Sequence, residues 1–132
     1  MAKATPKRGR TFADLVNSYP APVRQLAGEA RAFIRGVLPD VDESVDASGP
    51  YIGYGYGPGY KGMVCTLILS QSGVKLGIVG GAELADPHRL LEGSGRTHRH
   101  VVLNAPPDLQ RPGIRELVAA GDRASRRRMS ER

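Results

Sequence analysis

Tyr51, Tyr54, Tyr56 and Tyr60 fall close together and alternate with Gly53, Gly55, Gly57 and Gly59. A tyrosine offers a flat ring and a hydroxyl, and neighbouring glycines leave room for a flat ligand. Tyr54 and Tyr56 stand two apart, the spacing that puts both side chains on one face of a strand. The same pattern also suits rings packed across strands over a glycine-weakened segment, with no ligand involved.

Three further groups carry chemistry. Gly93-Ser94-Gly95-Arg96 is a short basic loop whose amides could cradle an anion, and Arg99 and His100 follow closely enough to complete a small anion pocket. The loop lacks P-loop spacing, so it does not read as a nucleotide site. Asp40, Asp42, Glu43 and Asp46 place four carboxylates within seven residues, a set of hard oxygen ligands for a divalent or ferric ion. A solvated acidic loop is the plainer reading. His98 and His100 share a strand face but have no Cys/His cluster to complete a metal site. Cys65 lies in an apolar run and reads as an inert buried thiol. No serine or cysteine sits in a nucleophile context such as Gly-x-Ser-x-Gly, so catalysis is a minority expectation.

These residues need elements to position them. Thr11 followed by Asp14 has the form of a capping box opening a short helix, which Pro20 ends near Tyr19. Val23, Leu26, Ala27, Ala30, Phe33, Ile34, Val37 and Leu38 make one apolar stripe, predicting a helix from about Pro22 to Leu38. Arg24, Gln25, Arg31 and Arg35 fall largely outside that stripe and are expected to face solvent. Short strands are predicted at 44–47, 50–56, 60–69, 74–78 and 97–104. The continuous apolar run Met63–Leu69 suits a central strand, and Ser70–Gly73 supplies the turn of a hairpin. On the last strand Arg99, Val101 and Leu103 share one face, and His98, His100 and Val102 the other. Asp86-Pro87 is expected to open a turn of helix. Ile114, Leu117, Val118 and Gly121 predict a final helix. Helices segregated from strands argue for an α+β fold: about five antiparallel, possibly mixed, strands with two N-terminal helices and a C-terminal helix on one face.

The chain has 132 residues and a formal charge of +6, a size that fits one domain able to bury its own core. Residues 1–10 carry +4 and residues 123–132 another +4, leaving −2 for 11–122. The domain is therefore expected to span 11–124, between disordered basic tails at 1–10 and 125–132. A folded part that is slightly acidic argues against a specific nucleic-acid surface. No stretch of about 18 apolar residues would span a membrane, and no apolar segment follows the basic N-terminus as in a secretory signal. Cytoplasmic location is the default expectation.

The segment Gly80-Gly81-Ala82-Glu83-Leu84-Ala85-Asp86-Pro87, then Leu90-Leu91-Glu92-Gly93-Ser94-Gly95-Arg96, then Arg99-His100-Val101, resembles the distal half of the YdhG-like domain of unknown function. The proximal half, a long helix ending at Leu38-Pro39, an acidic strand start and a Gly-x-x-Tyr segment, is similar too. The resemblance covers about residues 11–124. Arg96 stands where lysine is common, and His98 lies outside the pattern. The resemblance implies a small YdhG-like α+β sheet. Some members have been linked to frataxin-like iron handling, and the acidic residues 40–46 resemble the acidic edge of frataxins.

The expected function is a binding or chaperone-like module without a catalytic site or cofactor. It would present Tyr51, Tyr54, Tyr56 and Tyr60 with Arg96, Arg99 and His100 to a small molecule or protein partner. The first alternative is an iron-handling protein using Asp40, Asp42, Glu43 and Asp46. A further alternative is an enzyme acting on an anionic metabolite through Arg96, Arg99 and His100.

Overall fold

The computed structural model describes residues 10–57, 59 and 61–131. Five strands form one antiparallel meander: β1 (Asp42–Val45), β2 (Tyr51–Gly55), β3 (Met63–Leu69), β4 (Val74–Ile78) and β5 (Arg99–Leu103), each hydrogen-bonded to the next in sequence. Before them come α1 (Phe12–Val16) and α2 (Ala21–Val37), and after them α3 (Ile114–Ser130). The fold is thus the small α+β sheet expected, fully antiparallel rather than mixed.

Local chemistry accounts for the element ends. Thr11 accepts from the Asp14 amide while the Asp14 carboxylate accepts from the Thr11 amide, so α1 opens with a complete capping box. Those bonds hold the Asp14 carboxyl below its ordinary value. The Pro20 backbone at φ −59° leads into α2, and Pro22 stands in its first turn, where an amide would have no partner within the helix. The α2 stripe is buried at Val23, Leu26, Ala27, Ala30 and Ile34, against Ile52, Leu67, Leu76, Val101 and Leu103 of the sheet. Side chains on a strand alternate between faces, so one set of strand residues meets the helices. Burial of each large aliphatic side chain there contributes about 1.5–3 kcal/mol.

Two departures from the expected elements matter. The segment 125–130 is not a loose tail: it forms the last turns of α3. Ser125 is fully buried and donates to the Gly62 carbonyl at 2.9 Å, and Arg128 donates to the carbonyls of Lys61 and Met63. Hydrogen bonds rather than apolar side chains dock these turns, so the arginine-rich sequence gave no hydrophobic signal. At the other end, residues 1–9 lie outside the described residues, but Arg10 donates to the carbonyls of Asp46 and Gly49. Asp86-Pro87, in turn, opens no helix. The Asp86 carboxylate accepts from the amides of Leu90 and Leu91, each at 2.9 Å, and a short 3-10 turn forms earlier, at Gly81–Glu83. Among the described residues no helix is long and apolar enough to cross a membrane.

Candidate functional site

Among the described residues the helices cover one face of the sheet and leave the other open. On that open face, cross-strand pairing lines up Ser44, Gly53, Thr66, Gly77 and His100 in one row, and Tyr51, Ile68, Lys75 and Val102 in the next. Thr66, Ile68, His100 and Val102 are half-buried there, and among the described residues no helix packs over them. Met63–Leu69 is therefore central by position but open on one side, unlike the doubly buried strand its apolar run suggested. A hollow of about 440 Å³ lies on this face, floored by Thr66, Ile68 and Gly77 and bounded by Tyr51, Met63, His98, Arg99 and His100.

Three of the anticipated ligand residues, Tyr51, Arg99 and His100, border that hollow. The others go elsewhere. Tyr54 and Tyr56 do share a side of the sheet, but it is the helix side. Tyr54 is 0 % exposed, and its hydroxyl donates to Glu43 at 2.7 Å. Tyr56 donates to Asp122 of α3 at 2.7 Å, and its ring lies 4.6 Å beneath the Arg126 guanidinium carbon. Burial, with the Asp122 hydrogen bond, pushes the Tyr56 hydroxyl up to about 12. Among the described residues, the expected tyrosine-rich binding face is thus corrected to one exposed tyrosine, Tyr51. Tyr60 lies outside the described residues. Gly62 explains part of the glycine density instead: its carbonyl accepts from the Tyr56 amide and from Ser125, and a side chain at this position would collide with the Tyr56 carbonyl.

The four acidic residues do not converge. Glu43 turns under α2, where it accepts two hydrogen bonds from Arg31 at 2.8 and 2.9 Å and lies 3.6 Å from Arg35. Arg31, expected to face solvent, is therefore paired with Glu43 while staying partly exposed. Burial pushes the Glu43 carboxyl up, but hydrogen bonds from Arg31 and Tyr54 and the charges of Arg31 and Arg35 outweigh it and hold it below the ordinary value. Asp42 points the opposite way, as strand alternation requires. Asp40 is exposed at the end of α2. Asp46 caps a turn, accepting from the amides of Ser48 and Gly49, which lowers its carboxyl from the usual range. Among the described residues no three His, Cys, Asp or Glu side chains are grouped to hold a metal ion.

That turn has a consequence for the site. A Cβ on Gly49 would lie 2.7 Å from the Tyr51 ring, so the ring rests directly on the turn. Arg10 and Asp46 brace the turn from both sides, and Tyr51 is seated as a fixed wall of the hollow. Asp46 thus holds the turn on which Tyr51 rests.

The connection from β4 to β5 sets the opposite wall. The Gly80 amide donates to His98 Nδ1 at 3.1 Å, fixing which imidazole nitrogen accepts. Glu92 exchanges two backbone hydrogen bonds with His100, at 2.7 and 3.1 Å, and so covers the outer edge of β5. Gly93, at φ +111°, then runs beside the His100 ring, where a Cβ would sit 3.4 Å away. Arg99 donates to the Gly95 carbonyl, while Arg96 is exposed and does not line the hollow. Arg99 stands in the cross-strand row of Tyr54, Cys65 and Ile78, on the helix side, and His100 stands on the open side, so the anticipated Arg96, Arg99 and His100 are not brought together as one pocket.

Met63, Thr66, Ile68 and Gly77 are site residues that sequence reasoning missed. Thr66 inside an apolar run, and Gly77 at an alternating strand position, were the available signals. Cys65 is fully buried on the helix side, its thiol pushed up to about 12, chiefly by burial. Two larger hollows lie elsewhere among the described residues. One, of about 570 Å³ beside the start of α3, mixes Asp86 and Glu116 with Arg111 and Arg123, and Asp86 and Arg111 already serve backbone partners. The other, of about 540 Å³, lies between α2 and α3. No family model matches the chain, and no curated protein or solved structure matches it.

Proposed function

We propose that this protein is a binding module whose open sheet face receives a small ligand or a partner protein. The observation that carries the reading is the apolar hollow between Tyr51 and β5, with Arg99, His98 and His100 at its rim. A sheet packed by helices on one side leaves its other apolar side in need of a cover, and an exposed concave apolar patch is characteristic of a binding site. We also read the chain as YdhG-like: residues 80–101, which carry that resemblance, are the residues that wrap β5 and build the rim.

A ligand that binds only the native state raises apparent stability, by about 2.7 kcal/mol at one hundred times its Kd. The test is a thermal-shift screen of small metabolites and ferrous iron on the parent and on Ile68→Glu, which puts a carboxylate into the hollow. Hits that raise the melting temperature of the parent but not of Ile68→Glu support the reading. Hits indifferent to Ile68→Glu overturn it. So does stabilisation by ferrous iron alone that disappears in an Asp40→Asn, Asp42→Asn, Asp46→Asn variant, which favours an iron-handling protein.

A further inference from the structure

The two edges of the sheet are finished differently. On β5 the outward main-chain groups are in use: Glu92 exchanges two hydrogen bonds with His100, and Arg111 donates to the Val102 carbonyl at 3.0 Å. On β1 they are not. Bonded and non-bonded pairs alternate along an antiparallel ladder, and the Asp46 amide donates to the Tyr51 carbonyl. Ser44 and Asp42 therefore bond inward to β2, and the amides and carbonyls of Glu43 and Val45 point out of the sheet. Among the described residues these four groups meet no hydrogen-bond partner. An edge of this kind is a template for another extended segment.

Charge decides which segment fits. Glu43 does not guard the edge, because its carboxylate is turned under α2 and held by Arg31. Asp42 and Asp46 flank Ser44 on the other side of the strand, and all three are exposed. A second copy is a poor match. The antiparallel register that joins Glu43 to the copy's Val45, and so uses all four groups, sets Asp42 of each copy opposite Asp46 of the other. Like charges directly opposite destabilise. A strand with Lys or Arg at those two positions turns both repulsions into attractions. On the helix side Arg35 stays half exposed, 3.6 Å from Glu43, and Val45 is half-buried. A further cation there meets a guanidinium, whereas a small apolar residue extends the packing of Val45.

We propose that the outer edge of β1 docks an extended basic segment of a partner protein, added to the sheet as a sixth strand. Its cations stand beside Asp42 and Asp46, and small apolar residues between them lie beside Glu43 and Val45. This edge lies apart from the hollow, so the inference stands or falls independently of the open-face reading.

The test uses the full chain and a capped Gly-Lys-Val-Thr-Val-Lys-Gly peptide, followed by NMR and amide hydrogen exchange. In the protein alone the Glu43 and Val45 amides should exchange freely, and saturating peptide should slow both by about fivefold or more. The same peptide with glutamate for both lysines should bind about tenfold more weakly, and Asp42→Lys should remove most of that difference. Main-chain pairing uses alternate amides of the added strand: those of the two valines if it is antiparallel, of the threonine and second lysine if it is parallel. N-methylation of one of these sets should therefore abolish binding, and binding that survives both methylations overturns strand addition. Equal affinity of the lysine and glutamate peptides for the parent overturns the charge preference and needs no variant to fold. Glu43 and Val45 amides already protected in the free chain at every concentration assign the edge to residues 1–9 of the chain itself. Protection that grows with protein concentration assigns it to a second copy. Either result overturns the inference, as does a peptide that shifts no resonance from Asp42 to Val45.

Discussion

Tyr54 and Tyr51 stand three residues apart on β2 and meet opposite surroundings. Tyr54 is 0 % exposed, enclosed by the helices, with its hydroxyl on Glu43, whereas Tyr51 is 48 % exposed beside an open hollow. The same contrast runs through the sheet. The helix face is aliphatic and fully packed, and its polar atoms are tied in the Arg31–Glu43–Tyr54 and Tyr56–Asp122–Arg126 groups. The open face is half-buried, glycine-bearing and rimmed with basic groups. A face already closed by its own chain serves stability; a face left apolar and concave is where binding can be placed.

The contrast is broken most directly in the core. Ile34→Ala and Tyr54→Ala should each destabilise the protein by about 3–5 kcal/mol, because both side chains are fully buried and leave cavities. Denaturant unfolding measures this, and a loss below about 1 kcal/mol would mean that the helix face is not the core. Removing residues 125–132 comes next. It deletes the Ser125 and Arg128 hydrogen bonds to the 61–63 loop, each worth about 1 kcal/mol. A melting temperature unchanged by the deletion would show that these turns do not dock.

Glu43→Gln should cost about 1–2 kcal/mol at neutral pH, a figure held down by the partial exposure of Arg31. Its pH signature is more specific. The folded Glu43 carboxyl lies below its ordinary value of 4.5, so its contribution is present above that pH and is lost as pH falls through the lower folded value. Glu43→Gln should therefore lose less stability than the parent on acidification below about pH 4.5. Asp14 and Asp46, whose carboxyls are also lowered, leave a residual slope of the same sign in both proteins. Identical acid unfolding of parent and variant would mean that the Arg31–Glu43 pair does not form. The smallest effect is expected on the open face: Tyr51→Ala should change stability by less than about 0.5 kcal/mol. A larger loss would show that Tyr51 is a structural side chain and would blur the division between the faces.

Much of the scaffold was legible because it depends on neighbours in the chain. The α1 capping box, the α2 stripe, the β3–β4 hairpin and the alternation along β5 all follow from periods and turn residues. The site was legible only in part: Tyr51, Arg99 and His100 were named, but Tyr54, Tyr56 and Arg96 were grouped with them. Alternation says that Tyr54 and Tyr56 share a face and that Tyr51 opposes them. It does not say which face the helices will cover, and the choice fell on the side with the larger apolar area, where Ile52, Leu67, Leu76 and Leu103 also lie.

The sequence by itself determined the order and kind of the elements, the two-sided division of each strand, and the separation of an acidic body from basic ends. Only tertiary structure decided what each polar group would serve. Glu43 became the partner of Arg31 and Tyr54 when α2 crossed β1, and the arginine-rich end of α3 became structural when Ser125 and Arg128 reached the carbonyls of residues 61–63. Those partners lie 11 to 67 residues apart in the chain. No local spacing encodes such pairings, because they arise only when packing brings distant segments together and leaves a buried donor or acceptor to be satisfied.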